Sequence, residues 1–259
     1  MISITKIIVV AVAAFGSVQA LPQGIAPSST ISPPAAPAPT DKQTYLFRDL
    51  FTAPTAIKRF QRLLTQDEKL LTGEDLKKLT VFSFNNGTNS TGGVTKAANI
   101  DSFPILTGLG ISTTLGFLAP CGINTPHVHP RATEFLTLVE GSNLKFGYVL
   151  ENNLVKAGQN PEIAGALNKF EGTVFPQGSI HFQFNDNCEA ATFVAALNSE
   201  DPGTSQVAQN FFALNSGVVN ATLGFPKTID GKNIEEFRNA IPANLALDVK
   251  VCMARCKKE

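Results

Sequence analysis

The sequence predicts an all-β domain, an antiparallel sandwich or barrel, with short helices at either end. Three observations carry this. From about Val81 the chain breaks into short β-branched and aromatic runs: VFSF, GISTTLGFL, TEFLTLVEG, LKFGYVL, GTVFPQGSIHFQF and AATFVAAL. Gly, Asn and Pro punctuate these runs at close intervals. No long helical pattern separates them, as a parallel α/β sheet would require. With 259 residues, 43% of them hydrophobic, the chain is long enough to bury a full core. Lys plus Arg balances Asp plus Glu at 21 each, without a block of like charge. Nucleic acid and anionic membrane surfaces are therefore not expected partners.

Residues 1–20 read as a signal peptide. One Lys precedes a nine-residue apolar run from Ile7 to Phe15, and Val18 and Ala20 stand at the spacing signal peptidase prefers. A membrane-spanning helix needs about twenty apolar residues, so the run is too short to be an anchor, and cleavage after Ala20 is expected. Secretion exposes the chain to an oxidising compartment and to glycosylation. Asn86, Asn89 and Asn220 head N-x-S/T sequons in Gly, Ser or Thr-rich contexts typical of exposed loops.

Residues 21–42 are rich in Pro, Ala and Ser without apolar periodicity, an extended leader. In residues 43–80, TYLFRDLF, AIKRFQRLL and GEDLKKL place apolar residues three and four apart, the pattern of small helices packing on a domain. The β domain is expected over residues 81–215, closing near Leu214, and residues 216–259 as a helical appendage. There Asn233 caps a turn containing Glu235 and Glu236, Pro242 breaks it, and Asn244 to Cys256 sets Leu245, Val249, Cys252 and Cys256 on one helical face. The absence of an internal repeat argues against a duplicated two-barrel architecture.

The chemistry concentrates in few residues. His127 and His129 are two apart, so on a strand both imidazoles point to one face. Glu134 follows past Pro130 and Arg131, which bend the chain. His181, the last of only three histidines, enters a second strand after the turn Pro176, Gln177, Gly178. A lone His is ordinarily a surface or satisfied core residue; three in strand contexts with a carboxylate nearby point to one divalent metal ion. Three nitrogens and one oxygen suit either a tetrahedral structural zinc or an octahedral ion with two open positions. If His181 points inward, Gln183 and Asn185 do too, and Phe182 and Phe184 face outward. Those aromatics need a cover, either the chain's own helices or another subunit. Without Trp and with two Tyr against nineteen Phe, the chain has little to stack against a sugar ring.

The segments GINTPHVHPRATEFLTLVEG and VFPQGSIHFQFN resemble the two signature motifs of germins and germin-like proteins, including spherulins. The resemblance runs from about Val81 to Leu214 and implies a cupin jelly-roll barrel. It also implies manganese, held by His127, His129, Glu134 and His181, and a homo-oligomer built as a trimer of dimers, extracellular or in a cell wall. Cys121 and Phe170 stand where the two motifs usually have Gly, and the cysteine pair germins carry near the mature amino terminus is missing. In a jelly roll the two histidine strands are antiparallel neighbours, which places Cys121 near Cys188 and suggests a disulfide between them. Four cysteines allow three pairings, and the companion would be Cys252–Cys256.

The resemblance further implies two carboxamides that orient oxalate. Asn124 occupies the place of one, and Thr114 stands at the other. A hydroxyl donates one hydrogen bond where a carboxamide donates two, so superoxide dismutation is favoured over oxalate oxidation. The rival reading is a non-enzymatic wall-associated or storage protein whose metal ties the barrel together.

Overall fold

The computed structural model describes residues 42–85, 91–224, 245–246 and 250–256. The expected signal peptide, the Pro-rich leader, the sequons at Asn86 and Asn89, and the turn at Asn233 lie outside the described residues.

Helices α1 (Lys42–Thr52) and α2 (Ala56–Leu64) come first. They bury Leu50 and Leu63, and an Arg62–Asp49 ion pair at 2.9 Å joins them. The Thr55 hydroxyl caps α2 by accepting from the Lys58 amide. A hairpin of β1 (Thr65–Gln66) and β2 (Lys69–Leu70) then interrupts the expected helical segment before α3 (Gly73–Thr80). Asp67 and Glu68, both at positive φ, form its turn, a feature without Gly or Asn to announce it.

Two antiparallel sheets make the body. One runs β3 (Gly93–Ala98), β4 (Ser112–Leu118), β11 (Ala191–Leu197), β6 (Glu134–Glu140), β9 (Gly172–Phe175). The other runs β12 (Ser205–Gln206), β5 (Ile123–Val128), β10 (Ile180–Asn185), β7 (Leu144–Val149), β8 (Ile163–Leu167), and β13 (Leu245–Ala246) adds to β5. The strands form a jelly-roll sandwich, and among the described residues no strand pairing closes the two sheets into one barrel. Helices α4 (Val207–Ala213), α5 (Ser216–Thr222) and α6 (Lys250–Cys256) follow. Among the described residues no helix is long and apolar enough to cross a membrane.

Alternation decides what each sheet turns inward. Ala191, Phe193, Ala195 and Leu197 of β11 and Leu136 and Leu138 of β6 are buried, with Leu144, Leu167 and Phe175 completing an apolar core. On β10 the inward residues are His181, Gln183 and Asn185, all at most 2% exposed. Phe182 and Phe184 are half-buried on the other face. Phe182 packs across Gly147, its register partner on β7, where a Cβ would come within 2.5 Å of the ring.

Three expectations at the carboxyl end are corrected. Leu245 does not lie on a helix. It pairs with Asn124 as part of β13, and the described helix is Lys250–Cys256, with Val249 outside the described residues. An exposed backbone edge on β5 offers hydrogen bonds that outweigh a weak apolar periodicity. Asn220 sits in α5 rather than in an exposed loop, half-buried with its Oδ1 fully so. The disulfides join Cys121 to Cys252 and Cys188 to Cys256, not Cys121 to Cys188 or Cys252 to Cys256. Cys121 and Cys188 do lie close together, since the Cys121 amide donates to the Asn187 carbonyl at 3.2 Å. Cys252 and Cys256 stand one helical turn apart on α6 and reach one cysteine each, so the helix spans the neighbours instead of letting them pair. Both positions where the resemblance calls for Gly have positive φ, 60° at Cys121 and 72° at Phe170, which is the physical reason for Gly there.

Candidate metal centre

His127 and His181 are direct cross-strand partners on β5 and β10, so their imidazoles emerge side by side on the inner face of one sheet. His129 follows one residue after β5 ends. Glu134 opens β6 on the opposite sheet and points across the sandwich. The register between β5 and β10 shifts between His181 and Gln183: His181 faces His127 but Gln183 faces Asn124. One extra residue is thus accommodated at Thr125–Pro126, a β-bulge. Without it Asn124, three residues before His127, would point outward; with it, both are buried on the same face.

Each imidazole is anchored by its Nδ1. His127 donates to the Thr125 carbonyl at 2.8 Å, His129 to the Gly203 carbonyl at 2.6 Å and His181 to the Ser179 carbonyl at 3.0 Å. This fixes the tautomer and leaves every Nε2 lone pair for a ligand, as in bound metal sites generally. One ligand atom from each of His127, His129, Glu134 and His181 lies within 4.8 Å of the others. Glu134 Oε2 is 2.9 Å from His129 Nε2 and 3.5 Å from His181 Nε2, and His181 Nε2 is buried without a hydrogen-bond partner. Four convergent donors around a buried, unsatisfied nitrogen fit one divalent cation of borderline to hard character.

The electrostatics agree. Burial, followed by the neighbouring His181, pushes His127 down to about 3, so its imidazole is neutral and free to ligate. Burial opposes charge on His129, yet the hydrogen bond and charge of Glu134 prevail and raise its pKa. Burial likewise opposes ionisation of Glu134, and hydrogen bonding to His129 and then the contact with His181 hold it below the carboxylate range. Both shifts favour an ion pair between protonated His129 and ionised Glu134 in the absence of a cation.

Supports outside the four come from both motifs. Arg131 binds the Asp201 carbonyl at 2.7 Å and its carboxylate at 2.8 Å, pinning the loop that delivers Gly203 to His129. Gln177 donates to the Pro130 carbonyl at 2.9 Å, and the Gly178 amide donates to the His129 carbonyl at 3.2 Å. Phe175 stacks on His181 with ring centroids 4.4 Å apart.

A cavity of about 310 Å³ adjoins His127, His129 and Glu134, large enough for a small ligand. The opposite sheet makes room with a row of small residues in register, Ala97, Thr114 and Ala195. Asn124 and Thr114 both line the cavity, as do Thr204 and Gln206. The last two lie beyond either motif and gave no sequence signal. Asn124 Nδ2 donates to Gln183 Oε1 at 2.6 Å, so one of its two N–H groups is already engaged.

An antiparallel jelly roll that brings three histidines, two on one sheet and one just past its strand, to a glutamate of the other sheet defines the class, and the chain belongs to the cupin family, whose model matches residues 80–230. Within that family its similarity is to spherulins and germin-like proteins. Spherulin-1A of Physarum polycephalum is 37% identical over 215 residues, covering 82% of this chain and 78% of the relative. Germin-like protein 1-3 of Oryza sativa subsp. japonica is 38% identical over 150 residues, 58% of this chain and 64% of its own. Among solved structures, a recombinant oxalate oxidase in complex with glycolate superposes with a TM-score of 0.52 at 26% identity, covering 60% of this chain and 75% of that one.

Proposed function

We propose that the protein is a secreted, manganese-binding germin-like cupin with superoxide dismutase-type activity. One observation carries the reading: three Nδ1-anchored histidines and Glu134 surround one small volume that opens on a cavity instead of being sealed. A structural ion needs no such opening; a reactive one does. Manganese supplies one-electron redox chemistry when bound, and octahedral preference leaves it positions beyond four protein ligands. The residues of the chain do the rest. The carbonyls of Thr125, Gly203 and Ser179 hold the imidazoles in place, Glu134 offsets the charge of the ion, and the cavity admits a small oxygen-derived anion.

Oxalate is the second candidate, favoured by the likeness to an oxalate oxidase. Against it, the cavity presents the Thr114 hydroxyl in place of a second carboxamide, and the Asn124 carboxamide is partly committed to Gln183. A dianion would be oriented by fewer donors. The rival in which the metal only ties the sandwich together, as a wall-associated or storage protein, requires no turnover at all. The reading includes cleavage after Ala20, glycan at Asn86 and Asn89 and a hexamer.

Elemental analysis of natively secreted protein, with parallel superoxide and oxalate assays, separates these readings. Stoichiometric manganese with dismutation above the free-ion control is expected. Stoichiometric metal without either turnover would leave the structural role standing and remove the activity.

A further inference from the structure

Away from the metal, all four cysteines meet at one end of the sandwich. Besides the two disulfides, the sulfurs approach one another across them: Cys256 Sγ lies 3.6 Å from Cys121 Sγ and 3.9 Å from Cys252 Sγ. The bridges differ in access. Cys121 and Cys252 are each 1% exposed, whereas Cys188 and Cys256 are only half-buried and Cys188 borders a polar surface cavity with Asn187, Glu189 and Arg255. Arg255 Nη2 reaches Cys252 Sγ at 3.5 Å while binding the carbonyl and carboxylate of Asp186 at 2.7 Å.

We propose that this cluster is a second reactive site, one that exchanges disulfides with external thiols and passes the exchange inward to a bridge those thiols cannot reach. A thiolate attacks Cys188 Sγ, the Cys188–Cys256 bond breaks, and Cys256 leaves as thiolate. A second thiol attacks the mixed disulfide, releasing Cys188 and an oxidised thiol pair, so two electrons have entered the protein. Losing Cys188 frees rotation of the Cys256 side chain, which already touches the inner bridge. Its thiolate attacks Cys121 Sγ, forming Cys121–Cys256, and Cys252 departs as thiolate. This second step moves no net electrons. The Arg255 guanidinium lies where the departing charge appears, and a stabilised leaving thiolate leaves faster. The product keeps α6 tied to Cys121, one turn further along the helix, and presents Cys188 and Cys252 as free thiols.

The test uses full-length secreted protein loaded with metal. It is treated with one equivalent of dithiothreitol, quenched in acid, alkylated with N-ethylmaleimide and mapped without reduction. Cleavage after Arg255 separates Cys252 from Cys256. The expected map has alkylated Cys188 and Cys252 with a Cys121–Cys256 link. Alkylated Cys188 and Cys256 with Cys121–Cys252 intact would overturn the proposal, as would loss of both bridges together or of neither. Cys188→Ser provides a second route, since it leaves Cys256 free from the outset. Cys252 should then alkylate in unreduced protein, and a Cys256 that alone alkylates would contradict the relay. In Arg255→Gln, mapped by cyanogen bromide at Met253, the rate at which Cys252 appears should fall about threefold, as expected if the leaving thiol rises by about one pKa unit at a Brønsted slope near 0.5. An unchanged rate would remove Arg255 from the mechanism.

Discussion

Two strand pairs, β11 with β6 and β10 with β5, turn opposite chemistry toward the same interior. The inner face of β11 is Ala, Phe, Ala, Leu, and that of β6 continues with Leu136 and Leu138. The inner face of β10 is His181, Gln183 and Asn185, joined by Asn124 and His127 of β5. Buried polar side chains stabilise only when satisfied. Asn185 meets this in part: its Nδ2 donates to the carbonyls of Ala119 and Glu189 at 2.9 and 2.7 Å, while its Oδ1 has no partner. Gln183 Nε2 and His181 Nε2 have no such partner. β11 and β6 therefore supply much of the apolar core, joined by Leu144 of β7 and Leu167 of β8, whereas β5 and β10 present the histidine nitrogens where a ligand belongs. Glu134 is the charged residue buried on the β11 and β6 side, and it points at the histidines.

Substitutions on the two faces should separate accordingly. His181→Ala removes a donor from the polar face, and metal affinity measured by chelator competition should fall by at least the roughly 100-fold typical of losing a mere supporting residue. Leu136→Ala, on the apolar face, should cost about 2–5 kcal/mol in chemical denaturation while the refolded protein keeps its full metal content. A loss of metal equal to that of His181→Ala would erase the distinction. Ala195→Leu probes the border between them. It fills the cavity beside the metal-binding donors at a cost of about 1–3 kcal/mol, and turnover should vanish with metal retained; unchanged turnover would place the reactive opening elsewhere.

The pH dependence of chelator-stripped protein sharpens the same comparison. His127 folds with its pKa near 3 against 6.5 unfolded, so the native state loses stability as pH falls below 6.5. Glu134 is depressed from 4.5; its contribution is complete above that value and is lost as pH falls further. His129 is raised above 6.5, so its contribution is complete below 6.5 and is lost as pH rises through its folded value. Thermal stability without metal should therefore peak near pH 6.5. Metal affinity should instead go on rising above that pH, because binding displaces the His129 proton. The smallest effect lies outside both faces: Phe170→Gly relieves a positive φ at an exposed site and should raise stability by about 1 kcal/mol.

Much of this was legible in the sequence because it rests on short-range rules. Alternation from His181 gives the inward direction of Gln183 and Asn185 and the outward one of the two Phe residues. The apolar spacing around Leu50 and Leu63 marks α1 and α2. The cluster of His127, His129, Glu134 and His181, and the places of Asn124 and Thr114 on the cavity wall, follow from motif spacing and the germin-like resemblance. What escaped depends on contacts distant in sequence. The bulge that brings Asn124 to the side of His127 exists only in the pairing of β5 with β10. The cysteine partners depend on where α6 docks, which offsets along β5 and β10 do not encode. Leu245 looks helical from its neighbours and is extended because β5 has an edge to fill. Thr204 and Gln206 reach the cavity through a loop held by Arg131 and Asp201, a tie that no local pattern announces.

The central claim is that three imidazoles, from β5, the loop after it and β10, and one carboxylate of the other sheet hold a single ion. Pulsed electron paramagnetic resonance of protein loaded with one equivalent of Mn(II) counts the coordinating imidazoles directly. Three coupled histidine nitrogens are expected, falling to two in His181→Ala. A spectrum without histidine nitrogen coupling, or one unchanged by that substitution, would contradict the account.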